Sequence, residues 1–215
     1  MCQFNHHRIR GGFFVSIVSI VLMATGMPTA QAAIDCVVGP GVTQTNTTVT
    51  GTNGNDTIDC SGAKPGKKIN SKGGNDTVTG SALDDTIDGD NGNDTMTGGR
   101  GKDTLVGNRG HDTLTGSGAH DLLYGGKGND TLTGSAGAGN DRINGGAGDD
   151  ILNGDTGPDF MNGGTGTDIL SGDAGRDTLR GPPYDGSVDV LNGGSGTDTC
   201  KGPGRDGDTL VDCNP

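Results

Sequence analysis

A carboxylate returns every nine residues along most of this chain. Asp76, Asp85, Asp94, Asp103, Asp112, Asp121 and Asp130 are evenly spaced, and after two extra residues the step resumes at Asp141, Asp150, Asp159, Asp168 and Asp177. Three more extra residues, in the stretch PPYDGS, precede Asp189; Asp198 follows nine residues later and Asp208 ten. Asp56 opens the series, and the degenerate unit CSGAKPGKKIN after it carries Lys67 where the carboxylate belongs. Two positions beyond each of these residues stands one apolar side chain: Ile58, Ile69, Val78, Ile87, Met96, Leu105, Leu114, Leu123, Leu132, Ile143, Leu152, Met161, Leu170, Leu179, Leu191, Cys200 and Leu210.

A triplet with only its middle residue apolar is a short strand, because side chains alternate across a strand. The six residues before it, rich in Gly and Asn, are a turn. One such unit cannot bury its single apolar residue, but stacked units extend a shared ladder and a thin continuous core. Two units, strand, turn, returning strand and turn, make one coil. The expected fold is all-β: a right-handed parallel β-roll, or β-solenoid, with two nonapeptides per coil, two sheets and two rows of turns.

Composition alone points the other way. Only 28% of the 215 residues are hydrophobic, there is no Trp, 45 are Gly and the net charge is −12. Such a chain reads as disordered unless something other than an apolar core holds it. All 27 acidic residues are Asp, the shorter carboxylate and the one suited to tight turns. That choice indicates placed carboxylates rather than diffuse solubilising charge.

Stacking would set aspartates from alternate units one above another at about 4.8 Å, a repelling column unless a cation lies between them. Carboxylates with turn carbonyls, and no thiolate or regular His, form the ligand set of a hard cation. Calcium takes six to eight such oxygens in flexible geometry; magnesium demands a tighter octahedron, and zinc prefers nitrogen and sulfur. The aspartates fall into two rows. One runs through Asp56, Asp76, Asp94, Asp112, Asp130, Asp150, Asp168, Asp189 and Asp208, the other through Asp85, Asp103, Asp121, Asp141, Asp159, Asp177 and Asp198. Their eight and six gaps set an upper bound of fourteen sites.

The units GGKGNDTLT (125–133), GGAGDDILN (145–153) and GGTGTDILS (163–171) fit GGxGxDxUx at every fixed position. This resembles the RTX, or haemolysin-type, calcium-binding nonapeptide, over residues 51–212. The resemblance implies a parallel β-roll with calcium ions bound in the turns. Gly125, Gly128, Gly145, Gly148, Gly163 and Gly166 would shape the best-formed of those turns. Leu83 and Ala119 replace the fourth-position glycine of their units, and weak or absent sites are expected there, as at Lys67 and the two insertions. Many members carry the roll behind a catalytic or toxin domain; this chain looks like a small stand-alone secreted form.

Arg8 and Arg10, an apolar run from Phe13 to about Met27 and the small-residue stretch Ala30-Gln31-Ala32 have the layout of a secretory signal peptide over 1–32. A membrane anchor is the competing reading, but the run is shorter than the ~20 residues a span requires, so no span is expected in the mature chain. Removing 1–32 takes away two Arg and no Asp, moving the net charge from −12 to −14. The mature chain is then expected to be secreted and extracellular, with a cap segment at 33–50 and the roll at 51–212. It keeps Cys36, Cys60, Cys200 and Cys213. An exported chain with an even count points to disulfides; a zinc site is the alternative, without a CxxC pair. An extended roll would hold its two ends too far apart to be bridged, so Cys36–Cys60 and Cys200–Cys213 are the expected pairs, each closing one end.

An enzyme is not expected: HExxH and GxSxG are absent, and little chain lies outside the repeats. Nucleic acid is a poor partner for so acidic a chain; calcium ions are the expected partners, with a cell-surface or extracellular-matrix partner conceivable but not identified by sequence. His111 and His120 occupy a variable turn position and read as solvated turn residues. An alternative function attaches to Thr77, Thr79, Thr95, Thr97, Thr113, Thr115, Thr131 and Thr133. On stacked coils they form a flat Thr-x-Thr array, such as an ice-binding or surface-adhesion face uses, although Thr is also simply a good outward strand residue.

Overall fold

The computed structural model of the chain describes residues 35–134, 137–182, 185–202 and 207–214; the leader read over 1–32 lies outside them. Among the described residues the triplets form two ten-stranded sheets. The first sheet contains Thr57–Asp59, Thr77–Thr79, Thr95–Thr97, Thr113–Thr115, Thr131–Thr133, Ile151–Asn153, Ile169–Ser171, Val190–Asn192 and Thr209–Val211 in spatial order. The second takes the alternate units, from Thr48–Thr50 and Lys68–Asn70 through Thr104–Arg109, Leu122–Lys127, Arg142–Ala147 and Phe160–Thr165 to Thr178–Arg180 and Thr199–Lys201. All these pairings are parallel, and strict alternation between sheets is the signature of a two-unit coil.

Register follows the nine-residue period. Leu114 lies opposite Met96 on one side and Leu132 on the other. The insertions do not disturb it: Leu132 pairs with Leu152 and Leu170 with Leu191, in the same register as the uninterrupted units. The middle residue of each triplet points inward, and Ile58 through Leu191 form one file of buried apolar side chains. Leu210, read as inward, is instead 50% exposed because it belongs to the last rung, with no further coil to cover it.

The ladder begins three residues earlier than the boundary read from the sequence, since Thr48–Thr50 already pairs parallel with Lys68–Asn70 and buries Val49. Before it, Val37–Val38 lies antiparallel on Thr57–Asp59, and Thr43–Gln44 lies antiparallel on Thr48–Thr50. These short reversed strands cover the edge that a stack of parallel rungs would leave open. The Cys36–Cys60 disulfide fastens this cap to the first coil with Cα atoms 4.2 Å apart, and Cys200–Cys213 ties the tail to the last coil at 5.7 Å. No helix of the described residues is long and apolar enough to cross a membrane.

The two outer faces differ. In the first sheet Thr77, Thr95, Thr113 and Thr131 are aligned in register, as are Thr79, Thr97, Thr115 and Thr133. The same face then continues through Ile151 and Ile169. In the second sheet the outward positions turn aromatic and basic towards the C-terminus, at Tyr124, Arg142, Phe160 and Arg180.

The thin core sets a sharp contrast between two leucines. Leu132→Ala, at a fully buried position with a leucine stacked on either side, is expected to cost about 2–5 kcal/mol. Leu210→Ala is expected to cost about 0.5 kcal/mol or less. Denaturant unfolding of the calcium-loaded protein measures both, and equal losses would contradict a single-file core.

Candidate metal centre

The carboxylates stand in the rows foreseen from the period, and the two oxygens of each have different surroundings. The Oδ1 of each aspartate accepts the main-chain N–H of its counterpart one coil earlier. In the first row, Asp76, Asp94, Asp112, Asp130, Asp150 and Asp168 accept from Asp56, Asp76, Asp94, Asp112, Asp130 and Asp150 at 2.7–2.9 Å. In the second row, Asp103, Asp121, Asp141, Asp159, Asp177 and Asp198 accept in the same way at 2.7–2.9 Å. Across the insertions the bond is kept: Asp121 donates to Asp141 and Asp168 to Asp189. Asp208 extends the first row by accepting from Asp189.

The Oδ2 atoms of Asp76, Asp94, Asp112, Asp130, Asp150 and Asp168, and of Asp103, Asp121, Asp159, Asp177 and Asp198, are buried and have no hydrogen-bond partner. Buried charged oxygens without partners are costly. The glycine that opens each unit marks what surrounds them. A methyl group added at Gly125 would overlap both Asp130 Oδ2 and the carbonyl oxygen of Gly145 one coil on. Carboxylate and carbonyl oxygens therefore converge on one spot, and only a residue without Cβ leaves it open. Gly145 stands in the same relation to Asp150 Oδ2 and the Gly163 carbonyl, and a methyl group at Gly163 would overlap Asp168 Oδ2. At the fourth position Gly128, Gly148 and Gly166 have φ of 118°, 130° and 119°, which bends the turn back towards the preceding coil.

Two turns close on themselves. The N–H of Ser81 donates to Asp85 Oδ2 at 2.5 Å, and that of Thr52 donates to Asp56 Oδ2 at 2.6 Å. Each residue's hydroxyl also bridges to the main chain two positions on, at Leu83 and Gly54. In the open turns of the second row, the equivalent N–H groups of Gly99 and Ser117 donate instead to the carbonyls of Gly116 and Gly134 in the next coil. The difference lies in the backbone: Ser117 has φ 89°, whereas Ser81 and Thr52 are not left-handed. The two departures from the glycine pattern thus part company. Ala119 adopts φ 74° and leaves Asp121 Oδ2 bare; Leu83 does not, and its turn is closed.

Lys67 heads the second row in place of an aspartate. Its ammonium is buried and donates to the Asn46 carbonyl at 2.6 Å, linking the cap to the roll. An outer ladder runs beside the first row, in which Asn75, Asn93, His111 and Asn129 donate main-chain N–H groups to the side chains of Asn55, Asn75, Asn93 and His111. His111 Nδ1 accepts from Asn129 at 2.8 Å, and His120 Nδ1 accepts from Asn140 at 2.6 Å. His111 is therefore a rung of this ladder, and His120 accepts one such inter-coil bond beside the second row, roles the sequence pattern did not reveal.

Burial raises the carboxyls of Asp94, Asp103, Asp130, Asp159 and Asp168 to about 7. Those of Asp121, Asp150 and Asp177 rise to about 6. The N–H at Oδ1 opposes this shift, and neighbouring carboxylates along the row add to it. Among the described residues no three His, Cys, Asp or Glu side chains gather at one point. A bound cation would thus depend on main-chain carbonyls as well as carboxylates, which suits a hard ion with many oxygen ligands and not zinc.

The family model of the RTX calcium-binding nonapeptide repeat (4 copies) matches residues 43–59, 71–105, 97–132, 133–161, 162–181 and 185–202, more than half of the chain. The chain belongs to this RTX repeat family. No curated protein matches it. The RTX turns fit calcium on their own geometry, through carboxylate oxygens that are bare and buried, with a turn carbonyl of the next coil converging on the same spot.

The raised carboxyls give the metal-free RTX roll a defined pH dependence. Between about pH 4 and pH 7 the folded chain holds protons that the unfolded chain, with carboxyls near 3.9, has released. Stability without metal therefore falls as pH rises through that window. In chelator, the β circular-dichroism signal at pH 5 is expected to exceed that at pH 7.5; a flat or reversed profile would contradict burial of these carboxyls.

Proposed function

We propose that this is a secreted calcium-binding protein, not an enzyme, in which the ions occupy the gaps between stacked turns and supply the cohesion that its apolar residues cannot. The observation that carries this reading is the file of buried, unpartnered Oδ2 atoms in both rows. Each gap is bounded by carboxylates of successive coils and by turn carbonyls such as that of Gly145. Calcium there supplies the positive charge that the rows lack. The closed turns at Asp56 and Asp85 remove one gap from each row, leaving seven of eight and five of six and an upper bound of twelve. Residues 1–32 act as an export signal, and the disulfides at both ends suit the extracellular compartment.

A second reading is favoured by the in-register threonines of the first sheet. Eight aligned hydroxyl and methyl groups on a flat face are suited to ordering water at an ice surface. A crystal-growth assay with and without calcium separates the two: inhibition that requires calcium supports the threonine face, and its absence leaves calcium binding alone.

Because binding energy is folding energy here, the mature chain is expected to lack β structure in chelator at pH 7.5 and to gain it in millimolar calcium. A full β signal in chelator would overturn the proposal. Calorimetric titration then grades the turns. Asp130→Ala, between open turns, is expected to lose two ions and Asp56→Ala none. Ser81→Gly combined with Leu83→Gly is expected to gain one.

A further inference from the structure

The outer face of the second sheet carries an arrangement that calcium binding does not use. Phe160 lies directly opposite Arg142 on the neighbouring strand and diagonal to Arg180 on the next. The Arg142 guanidinium sits over the Phe160 ring at 5.1 Å from its centre, and that of Arg180 at 4.9 Å. One ring thus holds two cations that repel each other. On a chain with 27 aspartates, salt-bridge partners for both would have been easy to supply, yet among the described residues neither guanidinium pairs with a carboxylate. Cation–π contact engages the guanidinium through its charge and face, which leaves the in-plane N–H forks uncommitted.

Beside them runs a polar column. Tyr124, Asn144, Asn162 and Arg180 occupy successive outward positions one strand apart, with Asn162 donating to Asn144 Oδ1 at 3.4 Å. Tyr124 is 40% exposed. These residues line a shallow depression of about 250 Å³, and Lys201 continues the column past Arg180. The charge is local: the equivalent position nearer the N-terminus is Asp88.

We propose that this face binds a linear acidic polysaccharide bearing uronate carboxylates, aligned with the axis of the roll. Arg142 and Arg180 are two strands apart, roughly 10 Å, comparable to the rise of two pyranose units. Guanidinium forks match carboxylates bidentately, the asparagine amides can exchange hydrogen bonds with ring hydroxyls, and Tyr124 offers a face for a pyranose ring. A ladder that repeats at strand spacing favours a repeating polymer over a compact ligand. Nucleic acid presents phosphates on a sugar–base backbone rather than carboxylates on a pyranose repeat, so it matches the polar column less well and is the alternative that the oligonucleotide tests.

The test is titration of the full mature chain in millimolar calcium with a hexagalacturonate, its methyl ester and a single-stranded oligonucleotide. The acid hexamer is expected to bind, and the ester and the oligonucleotide to bind at least tenfold more weakly. Arg142→Gln combined with Arg180→Gln is expected to weaken hexamer binding at least tenfold with circular dichroism and calcium stoichiometry unchanged. Phe160→Leu, which leaves both cations but removes their shared support, is expected to weaken it several-fold. No binding of the hexamer, equal binding of the ester or oligonucleotide, or full binding by the double variant would each overturn the proposal. The last would assign the interaction to calcium in the turns.

Discussion

Everything in this molecule depends on what stands between stacked carboxylates. Each row files aspartates at the spacing of β-strands, almost wholly removed from water. Like charges at that distance and burial repel strongly. The fold answers half of the problem itself, by directing a main-chain N–H from the coil before to each Oδ1. The other oxygen is left for something outside the chain. This explains why Asp and not Glu fills the rows: a side chain one methylene longer would displace both oxygens, from the N–H and from the neighbouring turn carbonyl. On the proposed reading so thin a core suffices, since one apolar residue per unit need only keep the rungs in register while bound cations neutralise the rows.

Much of this was legible in the sequence because the period is short and nearly unbroken. The inward position of Leu114 or Leu152 follows from its place in a triplet, and the pairing of cysteines at each end follows from the length of a roll. The exception at Leu210 arises from position in the stack, which a repeating pattern does not express. What could not be read was the division of labour within a carboxylate. It depends on hydrogen bonds between residues eighteen or more apart and on one backbone torsion. Ser81 and Ser117 occupy the same place in their units, yet one closes its turn and the other leaves it open. The type of residue there does not decide the outcome; the conformation does, and Leu83 and Ala119 two positions on behave differently in the same sense.

Residues that break the repeat were the hardest to read. Lys67 looked like a vacancy in the series, but its buried ammonium reaches the Asn46 carbonyl and joins cap to roll. His111 and His120 are exposed turn residues, as the sequence suggests, and in addition accept main-chain N–H groups from the next coil. Nothing in the repeat pattern marks Phe160; only the pairing of strands shows that it gathers two arginines from neighbouring coils. A periodic sequence advertises its consensus, and the irregular residues acquire meaning only once the rungs are aligned.

Strict alternation between two sheets gives the molecule a parity. A deletion of eighteen residues would remove a whole coil and leave both faces as they were. A deletion of nine would send every later strand to the opposite sheet, so that the threonine face would continue into arginine and phenylalanine. The natural insertions, of two and three residues, leave the pairing of the flanking strands, and so parity, intact. Evolution could therefore lengthen or shorten such a roll freely in even numbers of units, while any odd change would scramble its surfaces without disturbing its core.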